Sequence, residues 1–511
     1  MIAKLKDDNF IYLEMVTPEI EELLKEKFSA MDPRSRYSTA FELGTWDGKT
    51  VRYSVKKKRL YVSFLPELED VCQVNNIPFD VVDERVRPKF FPIPQEHINK
   101  DLLPGIELAD YQVRALKAMH TNERGILDLP TGAGKTELMA AAISMYPGCP
   151  TAIIAEEVIV SQQIKERLEL RKVVEEVGEF FAGKRPNGQV VIVGSIQALR
   201  SPPQSARRAE KKRTGDDKAF RTRQKNAQYL QKMVERCHMI MVDECDRASS
   251  DSYKDLFLKY GVNARYVYGF SGTPFDKDKP VQNLYIRERF GPVICKVPRS
   301  EVEANGRIIP IKFFMMSVDE NGNKRDKTDN NTAIKDFMVN NNNLHNKVNN
   351  ICKAFPEDGT LILVESIELG NILSEKIKNS AFICGSTPLK KRNEAIKKFE
   401  KRDLKVLIGS RILRRGLDLK GGCENLILCY DGQMSTEFIQ RVGRALRKND
   451  RGWARVFDFL FLNNYYLYKH SKKRLETIVG MNYDSKVVLD SGTIAGEDLI
   501  KRRWRLPKFK R

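Results

Sequence analysis

The rhythm of apolar and polar positions changes twice along the chain. Up to about Asp83, short β-rich pieces alternate with turn signals: RYSTAFELG, TVRYSV and KKKRLYVSFL read as strands, with Trp46-Asp47-Gly48 as a hairpin turn between them. A helix is predicted over Leu65 to Asn75. Together these make a small α+β domain over residues 1–90. Pro92, Pro94 and Pro104 follow Pro88 in a stretch with little periodicity, which predicts a linker over 91–106.

From Ala109 the pattern becomes apolar strands alternating with amphipathic helices: GILDL, TAIIAEE, VVIVGS, MIMVDE and YVYGFSG. A second series runs through IKFFMMSV, TLILVES, AFICGS, KVLIGS, NLILCYD and ARVFDFL. Strand and helix in alternation predict a parallel sheet with crossover helices, here twice in tandem. The expected boundaries are 107–300 for the first α/β unit, with a basic insert at 201–232, and 301–468 for the second. A basic C-terminal extension is expected over 469–511. The polar stretch Asp319 to Thr332 reads as an exposed loop.

Composition narrows the function classes. The 511 residues hold 88 Lys+Arg against 68 Asp+Glu, a net charge of +20, with 41% hydrophobic residues. That balance argues against wholesale disorder, a membrane protein or a small secreted scaffold, and favours an anionic polymer as partner. The nine cysteines form no CxxC pair, so neither a zinc module nor a disulfide framework is signalled. The N-terminus MIAKLKDDNF carries charge where a secretory leader needs an apolar core, and no apolar run reaches the roughly 18 residues of a membrane span. A cytoplasmic protein with no membrane contact is expected.

The charge is concentrated. Ser201 to Lys232, with Arg207, Arg208, Lys211, Lys212 and Arg213 at its start, carries a net +7, and Lys469 to Arg511 another +7. Flexible basic arms of this kind would hold nucleic-acid phosphates without sequence preference, although solvated linkers would show the same composition. Trp504, Leu506 and Phe509 in the tail could stack on bases or pack on the second unit.

Leu129-Pro130-Thr131-Gly132-Ala133-Gly134-Lys135-Thr136 follows an apolar strand and opens a helix. This is the setting of a phosphate loop: glycines let backbone N–H groups approach phosphates, Lys135 reaches the β and γ oxygens, and the Thr136 hydroxyl offers a ligand to Mg²⁺. Leu129 stands where the strict pattern has Gly. Further on, the apolar run Met239 to Val242 delivers Asp243 and Glu244. Asp243 suits a shell around Mg²⁺ and Glu244 suits orientation of an attacking water; acids after a strand can also merely cap the next helix. Gln440-Arg441-Val442-Gly443-Arg444-Ala445-Leu446-Arg447 puts Arg444 and Arg447 on one helix face, either to stabilise a transferring phosphoryl group or as a solvated basic face.

In this order the segments resemble the motifs of superfamily 2 helicases, from about Leu108 to Leu460. Two tandem RecA-like lobes behind the α+β domain are implied. Ala109-Asp110-Tyr111-Gln112 looks like the motif that reads adenine through Gln112. LPTGAGKT is similar to motif I, implying ATP contacts at Thr131, Gly132, Ala133, Gly134, Lys135 and Thr136, and VDECD is similar to motif II. Gly194-Ser195-Ile196-Gln197 looks like motif Ib, with Ser195 and Gln197 toward nucleic acid. Ser271-Gly272-Thr273-Pro274 looks like motif III, with Ser271 and Thr273 coupling hydrolysis to movement. VLIGSRILRRGLDLKG resembles motif V, with Gly416 and Asp418 at nucleotide-contacting positions. QRVGRALR resembles motif VI, with Gln440 in the site, Arg447 as arginine finger and Arg444 its companion. The usual Pro of motif Ia is replaced by Glu156-Glu157 after Ala155, and Asp246 ends motif II as in DEAD-box proteins.

The N-terminal Arg36-Tyr37 and Gly44-Thr45-Trp46-Asp47-Gly48-Lys49 resemble the UvsW-type bacteriophage helicases, with Thr45 in place of Asn, and point to Trp46 and Lys49 as nucleic-acid contacts. The resemblance implies an ATP- and Mg²⁺-dependent monomeric motor in the host cytoplasm. It would remodel single-stranded and branched DNA in phage replication, recombination or repair, act on R-loops containing RNA, and anneal strands. An RNA helicase of DEAD-box type, favoured by the DECD sequence, and a nucleic-acid annealing protein with a weak motor remain the alternatives.

Overall fold

The computed structural model describes residues 1–86, 89–181, 183–202, 204–214, 216–318, 330–410, 422–432, 449, 451–480, 483–489 and 492–496. The chain divides into two compact units: Met1–Pro130 with Gly134–Glu301, and Thr131–Ala133 with Val302–Arg511.

The first unit opens with a four-stranded sheet, β1 (Ile2–Leu5), β2 (Phe10–Glu14), β5 (Arg59–Tyr61) and β6 (Asp80–Asp83), in the order β5-β2-β1-β6. β1 runs antiparallel to β2 and parallel to β6. Burial alternates along β1 and β2, so Ala3, Leu5, Ile11 and Leu13 face a core shared with Leu24, Phe28, Phe64 and Leu68. Helix Pro18–Lys27 begins with Pro at its first turn and Thr17 as cap, the Thr17 hydroxyl accepting from Ile20 N–H at 3.4 Å. The expected helix after Leu65 is present as Leu65–Val74.

The hairpin around Trp46 differs from expectation. Its strands are β3 (Ser29–Met31) and β4 (Lys49–Val51), paired antiparallel, whereas RYSTAFELG forms a 3₁₀ turn, Ser35–Tyr37, and a short helix, Thr39–Glu42. The alternation of RYSTAFELG does not mark a buried face: Tyr37 is 77% and Leu43 72% exposed. Backbone bonds from Thr45 and Trp46 to the Ala40 carbonyl close the helical turn instead. Gly48, at φ +79°, has no room for a side chain, since a Cβ there would come within 2.9 Å of Met31 and Ser35.

Seven parallel strands follow: β7 (Arg124–Asp128), β8 (Thr151–Ala155), β9 (Val177–Phe180), β10 (Val191–Ser195), β11 (Met239–Asp243), β12 (Tyr266–Ser271) and β13 (Val293–Lys296). Their order is β13-β7-β12-β11-β8-β10-β9. β8, β10, β11 and β12 are buried along their whole length, as expected for strands covered by helices on both faces.

The basic insert is helical rather than a flexible arm. Gln204–Thr214 and Lys218–Glu235 form two helices joined at Asp217, whose carboxylate pairs with Arg207 and Arg221, each at 2.6 Å. Phe220, Ala227, Leu230, Met233 and Val234 recur at helical spacing and are buried; the last three belong to the core of the seven-stranded sheet.

Among its described residues the second unit has eight strands: β14 (Ile311–Val318), β15 (Thr360–Val364), β16 (Ser380–Ile383), β17 (Val406–Gly409), β18 (Asn425–Cys429), β19 (Ala454–Phe461), β20 (Asp484–Leu489) and β21 (Gly492–Ala495). They are ordered β16-β17-β15-β18-β19-β14-β20-β21 and parallel except for the β20–β21 pair. Two parallel α/β sheets behind a small α+β region are the tandem RecA-like architecture expected.

Residues after Lys469 do not all form an extension. Helix Tyr465–Gly480 buries Leu467, Leu475 and Ile478, and β20 joins the sheet beside β14. Arg474 is 1% exposed, its Nε and Nη2 donating to Asp458 at 2.7 and 2.9 Å, so this cation serves the core and not an external phosphate. Trp504, Leu506 and Phe509 lie outside the described residues, as does the polar stretch except for its end, where helix Asn330–Ile334 opens. All nine cysteines are buried free thiols.

Candidate active site

β7, β12, β11, β8 and β10 end at the same edge of the first sheet, and their carboxyl ends supply the candidate residues. β7 leads into the phosphate loop, β11 ends in Asp243, β12 in Ser271, β8 precedes Glu156 and β10 ends in Ser195. Ligands gather at the carboxyl edge of parallel sheets because the loops there diverge and helix N-termini point into the space.

The loop takes its shape from Gly132 and Gly134, at φ +87° and +79°, a left-handed region that L side chains enter at a cost. Helix Lys135–Met145 starts immediately after Gly134, which places Lys135 and Thr136 in its first turn. Leu129, where a glycine was expected, is a buried core residue whose N–H bonds to the Ser271 carbonyl at 2.8 Å. The Leu129 backbone thus anchors the loop's entry to β12. Gln112 is buried; its Oε1 accepts from Ala109 N–H at 3.0 Å, and its Nε2 donates to the Gly134 carbonyl at 3.4 Å. The glutamine therefore joins the start of its own helix to the phosphate loop.

Lys135 Nζ donates to Glu244 Oε1 at 3.0 Å and stands 3.8 Å from Asp243 Oδ1. Glu244 itself is held at φ 52°, ψ 55°, a left-handed conformation that is uncommon for a non-glycine residue and costs backbone energy. Such strain recurs at sites where function constrains the backbone. The Thr136 hydroxyl and the Asp243 carboxylate are oxygen donors of the kind a hard cation takes, while the helix N-terminus beside them offers N–H groups to phosphate, so the residues fit Mg²⁺ bound together with phosphate.

Asp246 accepts from Ser271 Oγ at 2.9 Å, and the same Ser271 oxygen accepts from Thr273 N–H at 3.1 Å. Burial, with the charge of Glu244 adding to it, pushes the Asp246 carboxyl up to about 6. Arg247 pairs with Glu156, the residue that replaces the expected proline after β8. The loop after β8 is thereby tied to the loop after β11, a link with no local signal because its partners are 91 positions apart.

The remaining candidates are distributed differently. Ser195 is buried at the end of β10, and Gln197 is exposed in the following turn. Trp46 is partly buried, its indole N–H donating to the Lys49 carbonyl at 2.9 Å, so it closes the hairpin that carries Lys49. Arg207, Arg208, Lys211 and Lys212 are exposed on the first insert helix. The Arg213 side chain and Gly416, Asp418, Gln440, Arg444 and Arg447 lie outside the described residues. The pattern reading missed the aromatic surface of the N-terminal region: Tyr37 and Phe41 are exposed, and the Arg36 guanidinium lies 5.3 Å from the Tyr37 ring centre.

Residues 105–276 match the family model of the type III restriction enzyme res subunit, and residues 346–449 match that of the helicase conserved C-terminal domain. The two fall in order on the first and second sheets. The chain belongs to the superfamily 2 helicases.

Among relatives, the helicase is 20% identical over 519 residues to the ATP-dependent DNA helicase UvsW of Enterobacteria phage T4, covering 91% of this chain and 95% of that protein. It is 21% identical over 407 residues to putative helicase 22 of Sulfolobus islandicus filamentous virus, covering 74% and 68%. The crystal structure of T4 UvsW aligns over 96% of this chain and 100% of its own, with 18% identity and a TM-score of 0.43. As a member of this superfamily the helicase is an enzyme that couples ATP hydrolysis to nucleic-acid unwinding. Among the described residues no helix is long and apolar enough to cross a membrane.

Proposed function

We propose that this helicase is an ATP- and Mg²⁺-dependent DNA translocase that remodels branched DNA such as forks, Holliday junctions and R-loops, working as a monomer inside the cell where viral DNA is replicated, recombined or repaired. The observation that carries the motor reading is the Lys135–Glu244 ion pair at the carboxyl edge of the first sheet. Incoming triphosphate oxygens compete for Lys135, and their charge-assisted bonds release Glu244 to orient and deprotonate water. Thr136 and Asp243 would hold Mg²⁺, which neutralises charge on the phosphates when bound. Gln112 holds the loop and, by the family resemblance, would read adenine. Arg444 and Arg447 are the cations that the family resemblance assigns to the transferring phosphoryl group, and Gly416, Asp418 and Gln440 complete the proposed second-lobe set.

The DNA reading is supported by the extent of the UvsW relationship, which spans 91% of this chain, and by the surface of the N-terminal region. That region carries Tyr37 and Phe41 beside Arg34 and Arg36, an aromatic and cationic surface of the kind that stacks bases and holds phosphates. It is fixed to the first sheet by buried contacts, including the Arg52–Glu288 pair and Leu284 in the N-terminal core. A surface fixed in this way gives the motor something to pull DNA against. Ser195, Gln197, Ser271, Thr273, Trp46, Lys49 and the insert cations complete the proposed nucleic-acid path.

A second reading, unwinding of RNA, is favoured by Asp246 and by a stretch of 87 residues that is 37% identical to the ATP-dependent RNA helicase ROK1 of Meyerozyma guilliermondii. Strand separation on a synthetic four-way junction and on an RNA duplex of equal stability tests the choice. ATP-dependent resolution of the junction, absent in Glu244→Gln, is expected; activity confined to the RNA duplex would overturn the DNA reading.

A further inference from the structure

Arg289 lies in the last turn of helix Pro280–Phe290 and is only 5% exposed, yet its Nε and Nη1 are buried with no hydrogen-bond acceptor. An arginine offers donors only, and leaving them unmet in a buried place costs more than an ordinary hydrogen bond contributes. Burial holds its guanidinium down to about 10, below the usual arginine value, the nearby Arg52 acting in the same direction and Glu288 opposing.

The side chain lines a small cleft, partly open to solvent, at the seam between the N-terminal sheet and the seven-stranded sheet. Asn9 and Tyr61 line it from one side, and Arg124, Lys254 and Arg289 from the other. The carboxylate in its lining, Glu288, is already committed to Arg52. Arg124 spends its Nη2 on the carbonyls of Asp8 and Ala264, at 2.5 and 2.7 Å, which fixes the guanidinium without neutralising it. Three cations thus face a cleft whose lone lining carboxylate is spoken for. A water molecule could accept from Arg289 but would bring no charge; an oxyanion supplies both acceptors and charge.

We propose that this cleft is an oxyanion site that takes a phosphate group, with Arg289 as its principal donor, and that its occupant bridges the N-terminal region to the first sheet. Free inorganic phosphate and a nucleic-acid phosphodiester share this chemistry. The phosphodiester source rests on the nucleic-acid reading above; the free-phosphate source does not.

The test is amide hydrogen exchange on the full chain, titrated with inorganic phosphate against chloride at constant ionic strength, and separately with a short DNA duplex. Phosphate should slow exchange in Pro280–Phe290 and Arg59–Phe64 saturably, by roughly tenfold at ten times its Kd if opening there requires release of the anion. Arg289→Met should lose that protection while retaining protection by phosphate at Gly132–Thr136. Protection of the seam by duplex but not by inorganic phosphate assigns the site to a phosphodiester. No protection of the seam in the unaltered protein by either probe overturns the proposal, and that titration decides the matter even if Arg289→Met fails to fold. An ATPase assay on the same preparation reports separately on the motor reading.

Discussion

Lys135 Nζ and Glu244 Oε1 lie 3.0 Å apart, so the cation expected to meet phosphate and the carboxylate expected to activate water form one ion pair. Both side chains are largely buried, and on the proposed mechanism triphosphate oxygens compete with Glu244 for Lys135.

Glu244→Gln keeps a polar group of the same shape next to Lys135 but removes the base. ATP binding should persist, and turnover should fall by roughly 10²- to 10⁴-fold. Equilibrium binding of a fluorescent ATP analogue alongside steady-state ATPase measures both. Unchanged turnover would remove Glu244 from the chemistry.

Asp246 supplies a pH signature. Its folded-state carboxyl is raised to about 6, so the folded protein binds that proton more tightly than the unfolded chain does. Its contribution to stability is therefore favourable at low pH and is lost as pH rises from the ordinary carboxylate range through about 6. Asp246→Asn removes the charge, so it should raise the thermal midpoint of the nucleotide-free protein at about pH 8 and lose that advantage by about pH 4. Thermal scans across that range would contradict the account if the difference between the two proteins did not depend on pH.

Arg52 and Glu288 join the N-terminal region to the first sheet, with Glu288 only 3% exposed. Arg52→Ala leaves a buried carboxylate with reduced compensation and should cost about 3–5 kcal/mol in urea unfolding. Replacing both residues by Met should cost less than the single change. A double variant that is less stable than Arg52→Ala would show that the pair matters for something other than charge compensation.

Much of the architecture is legible in the sequence, for a physical reason. Strands such as β8 and β11 are covered on both faces and so read as unbroken apolar runs, and the phosphate loop needs its glycines and lysine contiguous. RYSTAFELG misleads because its apolar residues Tyr37, Phe41 and Leu43 face solvent, and local backbone bonds to Ser38, Thr39 and Ala40 set its helical shape. The insert shows the opposite case, its basic composition masking the helical spacing of Phe220, Ala227, Leu230 and Val234. Glu156–Arg247 and Arg52–Glu288 were beyond reach because the partners are 91 and 236 positions apart and neither member belongs to a local pattern.

The insert helices give a salt test. Arg207 is held by Asp217, but Arg208, Lys211 and Lys212 extend from the same exposed surface. Changing these three to Gln should make log K against log salt shallower by up to about 2.7, at about 0.9 per duplex phosphate neutralised. An unchanged slope would mean that the insert does not touch the DNA backbone.

On the proposed function, ATP hydrolysis by this helicase is driven by branched DNA. The most direct measurement is ATPase activity of the full chain titrated with single-stranded DNA, linear duplex, a four-way junction and structured RNA at one fixed salt concentration. Stimulation should be greatest with the junction; greatest stimulation by structured RNA would overturn the branched-DNA reading.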